Sequence, residues 1–97
     1  MIEIVRTEVF DRWARKLKDR SALARISVCI RKMSLGNLGD VKPVGGGVSE
    51  ARIDYGPGYR LYFVRRSCGE IVILLCGGTK KRQGRDIARA KAMAKDL

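Results

Sequence analysis

Three strand-length segments joined by short turns constrain the fold of this chain most strongly. They cover residues 48–54, 59–66 and 71–76, and the turns between them are Tyr55-Gly56-Pro57-Gly58 and Ser67-Cys68-Gly69-Glu70. Turns this short join antiparallel neighbours, because a parallel connection needs a dozen or more residues. The sequence therefore predicts an antiparallel three-stranded meander. Its third strand is apolar on both faces, which predicts a position inside the sheet.

The segments before the meander predict a short strand and two helices. Residues 2–5 have strand character, and apolar residues recur at helical spacing from residue 8 to 19. A second helix is predicted to begin after Ser21, a suitable N-cap, and to end at Gly36-Asn37. Because the two helices are nearly contiguous, we expect an antiparallel helical hairpin.

The glycine-containing segment 37–47 indicates a connecting loop. It has neither the G-x-x-x-x-G-K nor the G-x-G-x-x-G spacing of a nucleotide site. Gly77-Gly78-Thr79 is predicted to end the sheet, and a last helix is predicted from residue 83 to 95. The expected fold class is α+β, with an N-terminal strand, a helical hairpin packed on a twisted antiparallel sheet, and a C-terminal helix.

The excess of positive charge indicates a polyanion as partner. The chain has 21 Lys and Arg against 10 Asp and Glu, a formal net charge of +11, and no His. Residues 1–97 are about the length of one domain, and this charge on one domain favours binding to phosphate, most simply RNA, or to an acidic protein. A solvated basic surface is the alternative that charge alone leaves open.

Cysteine usage and hydropathy limit the cellular setting. Cys29, Cys68 and Cys76 are odd in number and form no C-x-x-C pair, which favours a reducing compartment over a disulfide framework. With no His and no paired Cys, we expect neither a metal site nor a cofactor. No apolar signal segment and no run near ~20 apolar residues is present, so we expect a cytoplasmic protein without membrane contact.

Period-2 alternation assigns candidate site residues to one face of the sheet. Arg60 and Tyr62 alternate with Leu61 and Phe63, and the helical hairpin is expected to cover the apolar side. Alternation along the preceding strand puts Arg52 on the same face, where an antiparallel hairpin can bring it beside Arg60. We therefore expect an exposed, concave basic surface. The third strand delivers three more cations just past its end, namely Lys80, Lys81 and Arg82.

Such a surface suits phosphate and metal-free cleavage of RNA. Arg and Lys stabilise the negative charge that develops when the 2′-hydroxyl attacks phosphorus, while a base and an acid move protons. The groups that could move them are Lys80, Tyr59, Tyr62, Glu50 and Asp54. The alternative is that Arg60 only pairs with Glu50 or Asp54. Residues expected to bind RNA are Arg52, Tyr59, Tyr62, Arg85 and Arg89, the last two from a basic stripe on the final helix.

Ordered landmarks along nearly the whole chain resemble one protein family. They are Phe10-Asp11-Arg12-Trp13, the segment 36–45, Val48–Ile53, Tyr55–Phe63, Leu74–Lys80 and the helical segment Asp86–Lys91. In this order they resemble the HigB-like, phage-related branch of the RelE/ParE toxin superfamily. Members of that superfamily are the killer proteins of bacterial type II toxin–antitoxin addiction modules.

The resemblance implies a β-α-α-β-β-β(-α) fold and a function. RelE-type members cleave mRNA without metal, usually in the ribosomal A site, and a helix-turn-helix antitoxin neutralises them. By this resemblance Arg60 matches the strand arginine that contacts the scissile phosphate. Lys80, Lys81 and Arg82 lie where those toxins carry a second basic group. The chain departs from the pattern in lacking the terminal Tyr and the C-terminal His of related active sites, so no general base is assigned.

The sequence thus predicts a toxin that is a metal-independent, ribosome-dependent mRNA endoribonuclease and inhibits translation. Its expected catalytic residues are Arg60, Lys80, Lys81 and Arg82. The expected partners are mRNA on the ribosome and a HigA-like helix-turn-helix antitoxin, with the chain monomeric alone or in a hetero-oligomer with that antitoxin. The alternatives are a gyrase-directed ParE-type toxin and a non-catalytic member that binds RNA or antitoxin.

Overall fold

A computed structural model describes all 97 residues, as a five-stranded sheet with helices on both faces. The strands are β1 (Glu3–Arg6), β2 (Val41–Gly45), β3 (Val48–Ile53), β4 (Tyr59–Arg66) and β5 (Ile71–Thr79), in the spatial order β1-β5-β4-β3-β2. The helices are α1 (Glu8–Arg15), α2 (Arg20–Ser34) and α3 (Gln83–Lys95). The predicted α+β class, with its C-terminal helix, is confirmed.

The predicted meander of β3, β4 and β5 is confirmed, but the sheet is mixed. β3 pairs antiparallel with β4, and β4 pairs antiparallel with β5. β1 pairs parallel with β5, with Glu3 opposite Ile71. The expectation of a wholly antiparallel sheet is therefore wrong at this edge. No turn links β1 to its neighbour, so its short local sequence does not set its direction.

The segment predicted as a loop contains an edge strand. β2 forms a hairpin with β3, with Val41 opposite Ala51 and Lys42 opposite Glu50. The glycines between the two strands, Gly46 and Gly47, have φ of +62° and +78°, which a tight hairpin requires. Pro43 is tolerated because β2 is the outermost strand and one side of it needs no hydrogen-bond donor.

The ends of the first two helices differ from prediction, whereas α3 has the predicted bounds. α1 ends at Arg15, earlier than expected, and the hydroxyl of Thr7 caps its start by accepting from the backbone N–H of Phe10. α2 is capped by Asp19 rather than Ser21. A carboxylate oxygen of Asp19 accepts from the N–H groups of Ser21 and Ala22 at 2.9 and 3.2 Å.

Two apolar clusters cover opposite faces of the sheet. α1 and α2 pack on the first face, where the core residues include Phe10, Ile26, Met33, Leu61 and Phe63. α3 packs on the second face, where Ala90 meets apolar side chains of β3, β4 and β5. Period-2 alternation explains the division, because adjacent residues of β4 point to opposite layers. The second face, expected to be open, is therefore covered.

Two adjacent glycines of β5 let a helix approach the strand on each side. β5 continues to Thr79, so the predicted end of this strand at Cys76 is wrong, although the sheet does end at Thr79. A Cβ on Gly77 would collide with the ring of Trp13 from α1, and a Cβ on Gly78 would collide with the carboxylate of Asp86 from α3. The missing side chains therefore fix where both helices sit.

Candidate functional site

Arg60 lies in a buried polar cluster between the sheet and α3. Strand register places Glu50 opposite Tyr62 and Arg52 opposite Arg60, so these side chains share one face, as alternation predicted. Glu50 and Tyr62 are fully buried, and Arg60 is 8% exposed. The expectation that Arg60 and Tyr62 face an open surface is wrong, because α3 packs over them.

The carboxylate of Glu50 is the centre of this cluster. Its Oε2 atom accepts hydrogen bonds from the hydroxyl of Tyr62 at 3.0 Å and from Nε2 of Gln83 at 2.8 Å. Nε of Arg60 lies 4.0 Å from Oε1 of Glu50. Neither of those two atoms has a hydrogen-bond partner. Of the two pairings weighed from sequence, the structure therefore has Arg60 facing Glu50.

Burial keeps the site tyrosines protonated. Burial, and then the hydrogen bond to Glu50, raise the pKa of Tyr62 well above its ordinary value. Burial also raises the pKa of Tyr59, and the nearby negative charge of Asp19 raises it further. At neutral pH both phenols can donate a proton and neither is an effective base.

Asp86 adds a second buried carboxylate at the start of α3. Its side chain lies against Gly78, and its Oδ2 atom has no hydrogen-bond partner. Burial raises the pKa of Asp86, while Arg82, Arg89 and Arg85 act in the opposite direction. The thiol of Cys76 lies 3.9 Å from the backbone carbonyl of Asp86. Burial raises the pKa of this thiol to about 11, so it stays neutral.

Five exposed cations border this cluster, and we call them the basic rim. They are Lys80, Lys81, Arg82, Arg85 and Arg89. The first three form a 3₁₀ turn between β5 and α3, just past the strand end as predicted. The backbone N–H of Lys80 donates to the carbonyl of Gly58 at 2.8 Å, which holds this turn beside the start of β4. None of the five forms an ion pair with a carboxylate.

The basic rim begins at Lys80, two residues after Gly78, the strand partner of Arg60. Arg52 lies opposite Arg60 in the register but does not join the buried cluster. Arg52 is exposed and binds Asp40, with Nε 3.2 Å from Oδ2. Tyr59 is buried and packs edge-on against Trp13 at 6.3 Å between ring centroids. Sequence reasoning missed Gln83 and Asp86. The signal that could have found Asp86 is its position as the one acidic residue among the arginines of α3.

Two other properties of the structure bear on function. No group of three or more His, Cys, Asp or Glu side chains comes together in a way that could hold a metal ion. None of the helices combines the length and the apolar character needed to cross a membrane.

Comparison with known proteins identifies the fold. No family model matches the chain. An uncharacterized protein of Haemophilus influenzae (strain Rd) is 47% identical over 96 residues, which is 99% of this chain and 96% of that protein. A chain of the toxin–antitoxin complex RelBE2 from Mycobacterium tuberculosis superposes with a TM-score of 0.66 and 23% identity, covering 81% of this chain and 98% of that one. A chain of the intact Escherichia coli RelBE toxin–antitoxin complex gives 0.65 and 15%, covering 81% and 96%. The RelE-like fold predicted from sequence is thereby confirmed.

Proposed function

We propose that this chain is the toxin of a type II toxin–antitoxin pair. It belongs to the same family as the Haemophilus influenzae protein and has the RelE toxin fold. In this proposal it is a HigB-like, metal-independent mRNA endoribonuclease that acts on the ribosome and inhibits translation. Its partners are translated mRNA and a HigA-like helix-turn-helix antitoxin.

One observation supports this proposal above the others. The five cations of the basic rim have no carboxylate partner, and the first three directly follow β5, whose Gly78 is the strand partner of Arg60. Exposed cations without carboxylate partners attract a phosphate backbone, and those nearest the scissile phosphate stabilise the negative charge that develops on it. A surface that only kept the protein soluble would not need five unpaired cations gathered on one turn and the helix that follows it.

The proposed reaction is attack of a 2′-hydroxyl on the adjacent phosphorus. The 2′-oxygen forms the new bond, the bond to the 5′-oxygen breaks, and a cyclic phosphate and a free 5′-hydroxyl result. Arg60, Lys80, Lys81 and Arg82 stabilise the extra negative charge on the phosphoryl oxygens. Of the proton-transfer candidates, Glu50 is the carboxylate that faces Arg60. Because Glu50 is fully buried and held by Gln83, it takes part in this proposed reaction only when that hydrogen bond opens.

The test is inducible expression in bacteria, with primer extension on a translated message. Wild type should arrest growth and produce cleavages within codons. The triple variant Lys80→Ala, Lys81→Ala, Arg82→Ala should lose both effects and still fold, since these exposed side chains form no hydrogen bond or ion pair within the fold. A matched control removes three exposed cations elsewhere, by Lys16→Ala, Lys18→Ala and Arg31→Ala, and should stay toxic.

Other outcomes would contradict the proposal. Full toxicity of the folded rim variant would remove the basic rim from the mechanism. DNA breaks with intact message would identify a gyrase-directed toxin instead. Growth rescue by the product of a neighbouring reading frame would identify the antitoxin, and the absence of any arrest by wild type would refute the toxin role.

A second candidate is a non-catalytic member that binds RNA or antitoxin. The pairing of Arg60 with fully buried Glu50 favours it, because this arginine is engaged within the fold. The absence of His, and of a tyrosine in α3, favours it as well. It predicts that purified protein binds RNA with strong salt dependence and leaves translated message uncut.

A further inference from the structure

A groove of about 570 Å³ runs along α2, on a part of the molecule to which α3 and the basic rim contribute nothing. One wall is the outer side of α2, and the other is formed by residues 37–40 and the end of β3. Its apolar lining comes from Ala24, Val28, Cys29, Leu38 and Ile53. Val28 is 52% exposed, which is unusual for a large apolar side chain at the centre of a helix.

α2 therefore has two apolar sides, of which only one is covered. Ala22, Ile26 and Met33 are buried against the sheet. Ala24 and Val28, four residues apart, lie on the side that lines the groove. A surface helix normally has one apolar stripe with a polar opposite face. The second stripe, formed by Ala24 and Val28, is exposed, so it does not contribute to the core of the fold.

The rim of the groove is positively charged and only partly neutralised. Its cations are Arg25, Lys32 and Arg52, and its one carboxylate, Asp40, is taken by Arg52 at 3.2 Å. Neither Arg25 nor Lys32 forms an ion pair. The guanidinium of Arg25 lies over the ring of Tyr55 at 4.4 Å, which fixes its position at one end.

We propose that this α2 groove binds an amphipathic, acidic helix of a protein partner, with apolar side chains against Val28 and carboxylates against Arg25 and Lys32. The charge complementarity supports an acidic occupant. Arg25 and Lys32 are seven residues apart on α2, about 10 Å along the axis. A helix docked along α2 meets both with two carboxylates two turns apart. On the proposed function, on which this identification rests, that partner is the antitoxin.

RNA fits the same groove less well. Its floor is apolar, and a phosphate backbone would leave it uncovered. Single-stranded RNA is held mainly by stacking of bases on aromatic rings. None of the residues that line the groove is aromatic, and the nearby ring of Tyr55 already carries Arg25.

The direct test uses a fluorescein-labelled helical peptide of about 15 residues, long enough to form a helix when constrained. It carries leucines along one face and two glutamates spaced two turns apart. Anisotropy titration should show binding to the full chain, and the same peptide with lysines in place of the glutamates should not bind. Val28→Glu and Lys32→Glu should each weaken binding about tenfold, through a blocked apolar contact and a reversed charge.

The matched controls are Leu35→Glu and Arg31→Glu. Both residues are exposed on or next to α2, and neither lines the groove. They should bind the peptide as wild type does. Failure of the peptide to bind, equal loss in these controls, or undiminished binding by Val28→Glu would overturn the proposal. Val28-dependent binding of a labelled RNA of about the same length, in preference to the peptide, would assign the groove to RNA instead.

A cellular arm separates this proposal from the proposed function. Val28→Glu should remain toxic, because the groove lies away from the basic rim, but the neighbouring-frame product that rescues wild type should fail to rescue it. Toxicity with normal rescue of Val28→Glu would reject the groove and keep the toxin. Peptide binding by a chain that never arrests growth would keep the groove and reject the toxin.

Discussion

The two faces of the sheet are built from alternate residues of the same strands, yet they differ in kind. The face under α1 and α2 has an apolar core that includes Phe10, Leu61 and Phe63. The face under α3 contains all three buried charged residues of the chain, Glu50, Arg60 and Asp86. Each of the three has a buried side-chain atom without a hydrogen-bond partner. The first face therefore stabilises the fold, while the second keeps buried charged groups at a cost to stability.

That cost has a definite size and a functional meaning. An unsatisfied buried polar group costs about 1–3 kcal/mol of folding free energy. Local departures from good packing and pairing concentrate at functional sites. The face under α3, which has the unsatisfied buried groups, is also the face that the exposed cations of the basic rim border.

The largest effect is expected on the apolar face. Phe63→Ala should lower the free energy of unfolding by about 3–5 kcal/mol, because it removes a fully buried ring and leaves a cavity. Urea denaturation followed by circular dichroism measures this loss. Phe63→Leu is the control and should cost clearly less. A loss below about 1 kcal/mol for the alanine variant would mean that this face does not dominate stability.

The next largest effect is expected at the centre of the polar face. Glu50→Ala should cost about 3 kcal/mol, since it leaves Arg60 buried without a counter-charge and deprives Tyr62 and Gln83 of their acceptor. The double variant Glu50→Leu, Arg60→Met, which makes this face resemble the apolar one, should lose much less in the same urea experiment. If both cost the same, the pairing of Arg60 with Glu50 contributes nothing specific.

A smaller effect is expected from one hydrogen bond. Tyr62→Phe removes the donor to Glu50 while preserving the ring, and should cost about 1–2 kcal/mol. Tyr55→Phe, which removes an exposed hydrogen bond to Asp19, is the control and should change stability by under about 0.5 kcal/mol. Equal effects in thermal or urea unfolding would show that burial does not strengthen the bond at Tyr62.

The smallest effect is a dependence on pH. Burial raises the pKa of Asp86 above its ordinary value of 3.8, so the folded protein holds this proton more tightly than the unfolded chain. Its contribution to stability is present below pH 3.8 and is lost as pH rises through the raised pKa. Relative to Asp86→Asn, wild type should therefore become less stable as pH rises from about 3.5 to 7. A difference that is constant, or that grows in favour of wild type, would contradict this assignment.

Sequence pattern predicted β1, the three strands of the meander and the last helix because these depend on local features. Short turns and period-2 alternation were sufficient to place Arg52 and Arg60 on the same face of neighbouring strands, where the structure pairs them. β2 was missed because Pro43 and the glycines after it are typical of loops, and only its position at the sheet edge makes them acceptable.

The site was predicted only in part, for a different reason. Alternation assigns Arg60 and Tyr62 to a face, but it does not reveal that another helix will cover that face. The approach of α3 depends on Gly78 making room for Asp86, and on Gln83 reaching Glu50 thirty-three residues away along the chain. Such contacts are tertiary, and no local pattern contains them. The cations past the end of β5 were placed correctly because they follow the strand directly.

The parallel pairing of β1 with β5 determines when the fold can be completed during synthesis. The hydroxyl of Thr7, just after β1, donates a hydrogen bond to the backbone carbonyl of Leu75, sixty-eight residues further along the chain. β1 must therefore wait, unpaired, until β5 has left the ribosome, and such non-local pairing is slow to form. α3 and the basic rim follow β5. If the protein attacks translation, the ribosome that makes it has passed the codons for every strand before the toxic surface can form.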